Sequence, residues 1–112
     1  MKQRTKAFAL RVIKLVENLP PKLAARRIGD QLVRAGTSVA SNYRAACRAR
    51  SRADFNAKLG IVEEEADESA FWIELLSDAG IMSVKRLANL LDEANQLTAI
   101  MVASRKTTSG LR

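Results

Sequence analysis

The sequence has no histidine, one cysteine and five aromatic residues among its 112 positions. Without histidine, the chain cannot form Ser-His-Asp or Cys-His nucleophile pairs, the Glu-x-x-His ligands of a di-iron bundle, or a histidine-based zinc site. Its sequence also has no Gly-rich phosphate loop, nucleotide-binding fingerprint or metal-spaced cysteine set. These absences predict a non-enzymatic protein that uses neither a cofactor nor a metal.

The single cysteine, Cys47, has no partner for an internal disulfide. It follows Val39 and Tyr43 at helical spacing, which predicts a place on an apolar helix face as a small hydrophobe. A reactive thiol is the alternative interpretation.

Long hydrophobic runs are missing as well. No apolar run approaches the roughly 18 residues that a membrane span needs, and the first residues lead into an amphipathic segment rather than a signal core. Proline and glycine together contribute only seven residues, and the remaining composition favours helices. We therefore expect one soluble, cytoplasmic, all-α domain without a membrane partner.

Apolar residues recur every three or four positions in four segments, which predicts four amphipathic helices. Proline residues end the first segment, and Ser51, Ser83 and Gly80 are suited to cap or terminate the later ones. Short connections favour an antiparallel up-down-up-down four-helix bundle over residues 1–104, followed by a flexible tail over 105–112. The predicted helices are Thr5 to Asn18, Lys22 to Ala49, Ser51 to Asp78, and Val84 to Ser104.

Two features suggest where helices or subunits pack closely. Small polar residues between Gly36 and Asn42 lower the helix propensity of the second helix, so a tertiary contact must offset their cost. Small side chains are what a close helix crossing requires. Trp72 extends the apolar stripe of the third helix, which predicts a place in the core or at a subunit interface.

Charge is distributed unevenly along the chain. Residues 1–52 carry thirteen Lys or Arg against two carboxylates, whereas residues 53–78 carry eight carboxylates against one lysine. The acidic side chains fan around their helix, which favours a solvated or interfacial face over a catalytic one. The basic segment ends in four arginines within nine residues, Arg44, Arg48, Arg50 and Arg52.

Two interpretations of these arginines remain open. They could neutralise carboxylates of the third helix, within the chain or between subunits. Alternatively, they could bind nucleic-acid phosphates, in keeping with a net charge of +7 and a pI of 10.2. Arg26 and Arg27 are secondary candidates for the same role.

The run from Arg34 to Leu76, RAGTSVASNYRAACRARSRADFNAKLGIVEEEADESAFWIELL, resembles the signature of the bacterial four-helix-bundle protein family. That family includes proteins encoded within intervening sequences of large-subunit ribosomal RNA genes. The accessory variability protein of diversity-generating retroelements is a relative. The positions that match the family pattern are Arg34, Ser38, Ser41, Asn42, Tyr43, Arg48, Ser51, Phe55, Glu64 and Trp72.

The resemblance implies a bundle that assembles into a ring-like homopentamer. In the retroelement branch it further implies a basic ring that binds RNA and a reverse transcriptase. The family usually has a glutamate two or three residues after the Asn, whereas Ala45 and Ala46 stand here, so the local charge is more positive. Oligomer or helix packing is expected at Gly36, Ser38, Ser41, Asn42, Tyr43, Glu64 and Trp72.

Together, residues and resemblance predict a self-associating bundle that binds RNA or another nucleic acid through a basic surface. The alternative is a protein-interaction scaffold whose arginines serve subunit or partner contacts.

Overall fold

The computed structural model describes residues 1–110, which form four α-helices. Each helix packs against the next one along the chain, and α1 also contacts α4. The helices are therefore arranged as an antiparallel up-down-up-down bundle with extents of 45 × 24 × 20 Å, and the predicted all-α fold is confirmed. The bounds are Lys2–Glu17 for α1, Leu23–Ala46 for α2, Arg52–Asp78 for α3 and Val84–Thr108 for α4.

The predicted helix caps are present. The Ser51 hydroxyl accepts the backbone N–H of Asp54 at 3.0 Å, and the Ser83 hydroxyl accepts that of Arg86 at 3.3 Å. Gly80, with φ of 70°, ends the α3 segment in the left-handed conformation that only glycine adopts without strain. Among the described helices, none has the length and apolarity needed to cross a bilayer.

The outer helices are longer than predicted. Helix α1 begins at Lys2 rather than Thr5, because Thr5 is buried and its hydroxyl donates to the carbonyls of Met1 and Lys2. Helix α4 continues past the predicted end at Ser104, and Arg105 forms an ion pair with Glu63 of α3 at 2.8 Å. Residues 105–108 thus belong to the bundle, and residues 111–112 of the predicted tail lie outside the described residues.

The core is built from the predicted apolar stripes, except that Cys47 and Ala103, the last predicted stripe residues of the second and fourth helices, are exposed. Ile28 and Tyr43 are partly buried and pack against the core, while Cys47 is exposed. The prediction for Cys47 was wrong because α2 ends at Ala46, which is buried, and the next residue points about 100° away. The largest fully buried side chains come from all four helices and include Phe8, Leu32, Leu59, Ile73, Leu76, Leu87 and Leu97.

Helices α1 and α2 approach each other closely through glycine. A Cβ atom built on Gly36 would lie 2.9 Å from both methyl groups of Val12, and one on Gly29 would lie 3.1 Å from Val16 and from Leu19. Bulkier residues would hold the helices apart. The predicted close crossing therefore exists within a single chain, between α1 and α2.

The contact between α1 and α4 is polar as well as apolar. Arg4 donates two hydrogen bonds to the carboxylate of Glu93, at 2.8 and 2.9 Å, and a third to Gln96. The hydrogen bond from Arg4 holds the pKa of Glu93 below its ordinary value, against the opposing effect of partial burial.

Candidate nucleic-acid interface

The four arginines of the basic segment gather at one end of the bundle. Arg44 lies in the last turn of α2, Arg48 and Arg50 lie in the connection to α3, and Arg52 is the first residue of α3. All four side chains are exposed. The start of α1 lies at the same end, because α1 and α2 are antiparallel neighbours.

A groove of about 630 Å³ runs between α1 and the C-terminal part of α2. Lys2 and Lys6 line it on the α1 side, and Arg44 and Arg48 line it on the other. Its remaining lining is short or uncharged, consisting of Gln3, Ala9, Thr37, Ala40 and Ser41. We call this feature the basic groove.

A second depression of about 400 Å³ adjoins the basic groove and shares Ser41, Arg44 and Arg48 with it. It adds Arg50 and Lys58 as cations and Asp54 as the only carboxylate that lines either feature. Six cationic side chains therefore face one carboxylate over this continuous surface.

Lys2 and Lys6 were missed as candidate residues by sequence reasoning. They are four residues apart on α1, so they share a face, while Thr5, Phe8 and Ala9 turn inward. If the first helix had been predicted to begin at Lys2 instead of Thr5, its charged face would have included both lysines. Their juxtaposition with Arg44 depends on how α1 and α2 pack, which no local pattern states.

Most of these cations have no ion-pair partner in the part of the chain that the structure describes. Lys2, Lys6 and the four arginines are absent from all six ion pairs formed among residues 1–110. Lys58 is the exception and contacts Asp54 at 2.7 Å. This hydrogen bond, with help from the Arg50 backbone N–H, lowers the pKa of Asp54 below its ordinary value.

The acidic helix α3 is neutralised within the chain by other arginines. Arg34 pairs with Glu65 at 3.3 Å and also with Glu68, while Arg105 pairs with Glu63. The four clustered arginines form no ion pair with these carboxylates among residues 1–110, so the interpretation that they neutralise α3 gains no support within the chain. They lie at the end of the bundle, where Asp54 pairs with Lys58, whereas Glu63, Glu65 and Glu68 lie further along α3 beside Arg34 and Arg105.

Several predicted packing residues are held within their own helix. The Asn42 amide donates to the Ser38 carbonyl at 2.9 Å, and the Ser41 hydroxyl donates weakly to the same carbonyl at 3.4 Å. Tyr43 packs against the core, and partial burial is the main cause that raises the pKa of its phenol. Glu64 is exposed.

Trp72 is partly buried against the core, as one of its two predicted locations requires. Its indole N–H donates to Glu68 at 3.0 Å, so Glu68 accepts from both Trp72 and Arg34. The ring of the neighbouring Phe71 contacts the Trp72 ring edge to face, with 4.9 Å between the ring centroids. Phe71 is 51% exposed.

Arg26 and Arg27 do not join the basic groove. They lie in the first turns of α2, some 17 residues before Arg44, which corresponds to roughly 26 Å along the helix. Arg27 also lies 3.9 Å from Asp30. Residues 1–110 contain no group of three potential metal ligands.

These observations define a class: basic, antiparallel four-helix-bundle proteins with a cationic end. Within that class, the family model described as 23S rRNA-intervening sequence protein matches residues 1–103, and the chain belongs to that family. The predicted family membership is confirmed.

A solved structure supports the same assignment. It is described as a protein with unknown function from the S23 ribosomal protein family of Bacteroides thetaiotaomicron VPI-5482. The two chains are 30% identical and superpose with a TM-score of 0.87, over 94% of this chain and 97% of the other. A comparison with curated proteins found no match.

Proposed function

We propose that this protein binds RNA by holding phosphates in the basic groove and the adjoining depression. The observation that carries the proposal is the gathering of Lys2, Lys6, Arg44, Arg48 and Arg50 in these two features without ion-pair partners among residues 1–110. Arg52 is exposed at the same end of the bundle but lines neither feature. Neighbouring cations repel one another, and a polyanion relieves that repulsion. The guanidinium fork also matches phosphate geometry.

The family adds support of a different kind. Its description refers to intervening sequences of 23S rRNA, which associates the family with ribosomal RNA genes and makes RNA the polyanion to test first. Phosphate contacts carry no sequence information directly. We therefore expect salt-dependent binding with little sequence preference, in the cytoplasm, where ribosomal RNA is found.

Replacing Arg44, Arg48, Arg50 and Arg52 with glutamine should weaken RNA binding. If each arginine contacts one phosphate of a single strand, the slope of log affinity against log salt should fall by up to about 3, at roughly 0.7 per lost contact. A filter-binding titration at several salt concentrations measures both the affinity and the slope.

A matched control removes the same charge elsewhere. Arg11, Arg26, Arg27 and Arg86 are all exposed and none lines the basic groove or its adjoining depression. Their replacement with glutamine should leave the slope near the wild-type value. A wild-type protein that ignores RNA at low salt, or equal losses from both variants, would refute the proposed site.

A second candidate function, self-association, is favoured by the outward face of α3. Ile61 and Phe71 are 41% and 51% exposed there. They stand among carboxylates that form no ion pair within the described residues, Glu64, Asp67, Glu74 and Asp78. Such a face complements the basic end of another copy, and a head-to-tail contact of this kind can close into a ring. The family resemblance implies five subunits.

Light scattering should therefore return a multiple of the 12.3 kDa chain mass, five times that mass for the implied pentamer. Changing Ile61 and Phe71 to lysine should release monomers, because it places like charge against the basic end of the neighbouring copy and removes apolar contact. The same changes at Leu23 and Val84, which are 65% and 69% exposed, are the control. A 12.3 kDa species at micromolar wild-type concentration would contradict self-association.

Both measurements together separate the two functions. In the scaffold alternative, glutamine at the four clustered arginines breaks the oligomer, and the wild type shows no salt-dependent RNA binding. In the RNA-binding proposal, the wild type binds RNA in a salt-dependent way and the same variant loses that affinity.

A further inference from the structure

We infer that the basic groove receives the phosphate backbone of double-helical RNA and not a single strand whose bases stack on the protein. The inference rests on the proposed RNA binding and names its substrate class. It is carried by what lines the groove and by where the aromatic side chains lie.

No aromatic side chain of residues 1–110 lines the basic groove or the adjoining depression. Phe8 is buried, and Tyr43 and Phe55 are partly buried against the core. Phe71 and Trp72 are on α3, where Trp72 shares Glu68 with Arg34. The cationic surface therefore offers no ring on which a base could stack.

Without aromatic side chains in the groove, a single strand gains less binding free energy. Proteins that bind single strands combine a cationic groove with aromatic platforms, and each stacked base contributes about 1–3 kcal/mol. Without stacking, a flexible strand loses conformational freedom on binding and gains phosphate contacts alone. A double helix holds its phosphates in a fixed array before it binds.

The cations that line the basic groove are held in a regular arrangement that matches the regular phosphates of a double helix. Lys2 and Lys6 are about one helical turn apart on α1, and Arg44 lies in the last turn of α2. Arg48 follows in the turn after α2, where its backbone N–H donates to the Ala45 carbonyl at 3.0 Å. Because Gly36 contacts Val12 closely, α1 and α2 pack together and place the two lysines opposite the two arginines across the basic groove. Two packed helices thus hold Lys2, Lys6 and Arg44 at set positions, which favours a ligand of equally regular charge.

Counterion release favours the duplex further. Each phosphate contact releases about 0.9 ions from a DNA double helix and about 0.7 from a single strand. For six contacts the slopes differ by about 1.2, so two probes that bind equally at 1 M salt differ by roughly tenfold at 0.1 M, with the duplex tighter. RNA duplexes carry a similarly dense array of phosphates, so we expect the same direction and order of magnitude.

Fluorescence anisotropy with the full chain tests this inference. The probes are a labelled RNA duplex of about 20 base pairs, long enough to span successive grooves, and each of its strands alone, chosen to lack self-structure. The duplex should bind about tenfold more tightly at 0.1 M salt. Equal or tighter binding of the single strands would overturn the inference and leave the proposed function intact, whereas no binding of either probe would overturn both.

The second measurement is the salt dependence of duplex binding by a variant of Lys2 and Lys6. Replacing both with glutamine should lower the duplex slope by up to about 1.8, so a fourfold rise in salt should cost the wild type about tenfold more affinity than the variant. The matched control replaces Lys14 and Lys85, which are exposed and absent from the groove lining. Circular dichroism verifies that both variants fold. A slope unchanged in the Lys2 and Lys6 variant would show that the duplex binds elsewhere.

Discussion

Replacing Gly36 with valine is expected to lower the free energy of unfolding by about 3 kcal/mol, the upper part of the range for overpacked cores. A Cβ atom at this position would lie 2.9 Å from both methyl groups of Val12, closer than real Cβ contacts come. Val12 is fully buried, and its β-branched side chain has little rotamer freedom in a helix. Helices α1 and α2 would therefore have to separate. Chemical denaturation followed by circular dichroism measures the loss.

Gly60 provides the matched control for this prediction. A Cβ atom there would meet the end of the Arg105 side chain at 3.3 Å, and a flexible side chain can move away. Alanine also improves helix propensity by up to about 1 kcal/mol over glycine. Gly60→Ala should therefore change stability by no more than about 1 kcal/mol in either direction. If Gly36→Val were as stable as the wild type, the close crossing would be wrong.

A double-mutant cycle assigns the effect to its cause. Gly36→Ala and Val12→Ala each disturb the crossing, the first by overpacking and the second by leaving a cavity. When they are combined, the added methyl enters the space that Val12 vacates. The double variant should therefore be more stable than the sum of the two single effects predicts, by an interaction energy in the range of about 0.5–3 kcal/mol.

The fold was predictable because its signals are local. Helical periodicity shows which residues face the core, and Ser51, Ser83 and Gly80 mark helix ends through their own hydrogen bonds or backbone conformation. The helix ends that depend on distant residues were missed. Helix α4 extends through Arg105 beside Glu63 and Gly60, more than forty residues earlier in the chain, and no pattern around Ser104 reports that contact.

The candidate site likewise contains residues that the sequence located and residues that only tertiary packing brings into it. The clustered arginines are contiguous in sequence, so counting charge located them. Lys2 and Lys6 belong to another helix, and their place opposite Arg44 depends on the packing of Val12 against Gly36. Counting charges along the sequence also could not distinguish the carboxylates of α3 that form ion pairs from those that do not. Only tertiary structure shows that Arg34 and Arg105 neutralise some of them and that the clustered arginines form no ion pair among residues 1–110.

Truncation of Trp72 to alanine is expected to cost about 2–3 kcal/mol of unfolding free energy. A fully buried tryptophan typically costs about 3–5 kcal/mol, and the smaller value is expected because Trp72 is only partly buried. Trp72→Phe is the control: it keeps most of the apolar contact and removes the indole hydrogen bond to Glu68, which retains Arg34 as a partner. Its cost should be near 1 kcal/mol. Denaturation followed by circular dichroism measures both variants.

Trp72 is the only tryptophan, so native fluorescence reports on this site alone. The emission maximum should lie at shorter wavelength than that of free indole in water, because the ring packs against the core of its own chain. Emission matching free indole, together with wild-type stability of Trp72→Ala, would contradict this placement. Dilution adds a further distinction. Contacts made within one chain persist when an oligomer dissociates, so the maximum should stay constant on dilution, whereas a subunit interface that covered Trp72 would shift it to longer wavelength as monomers appear.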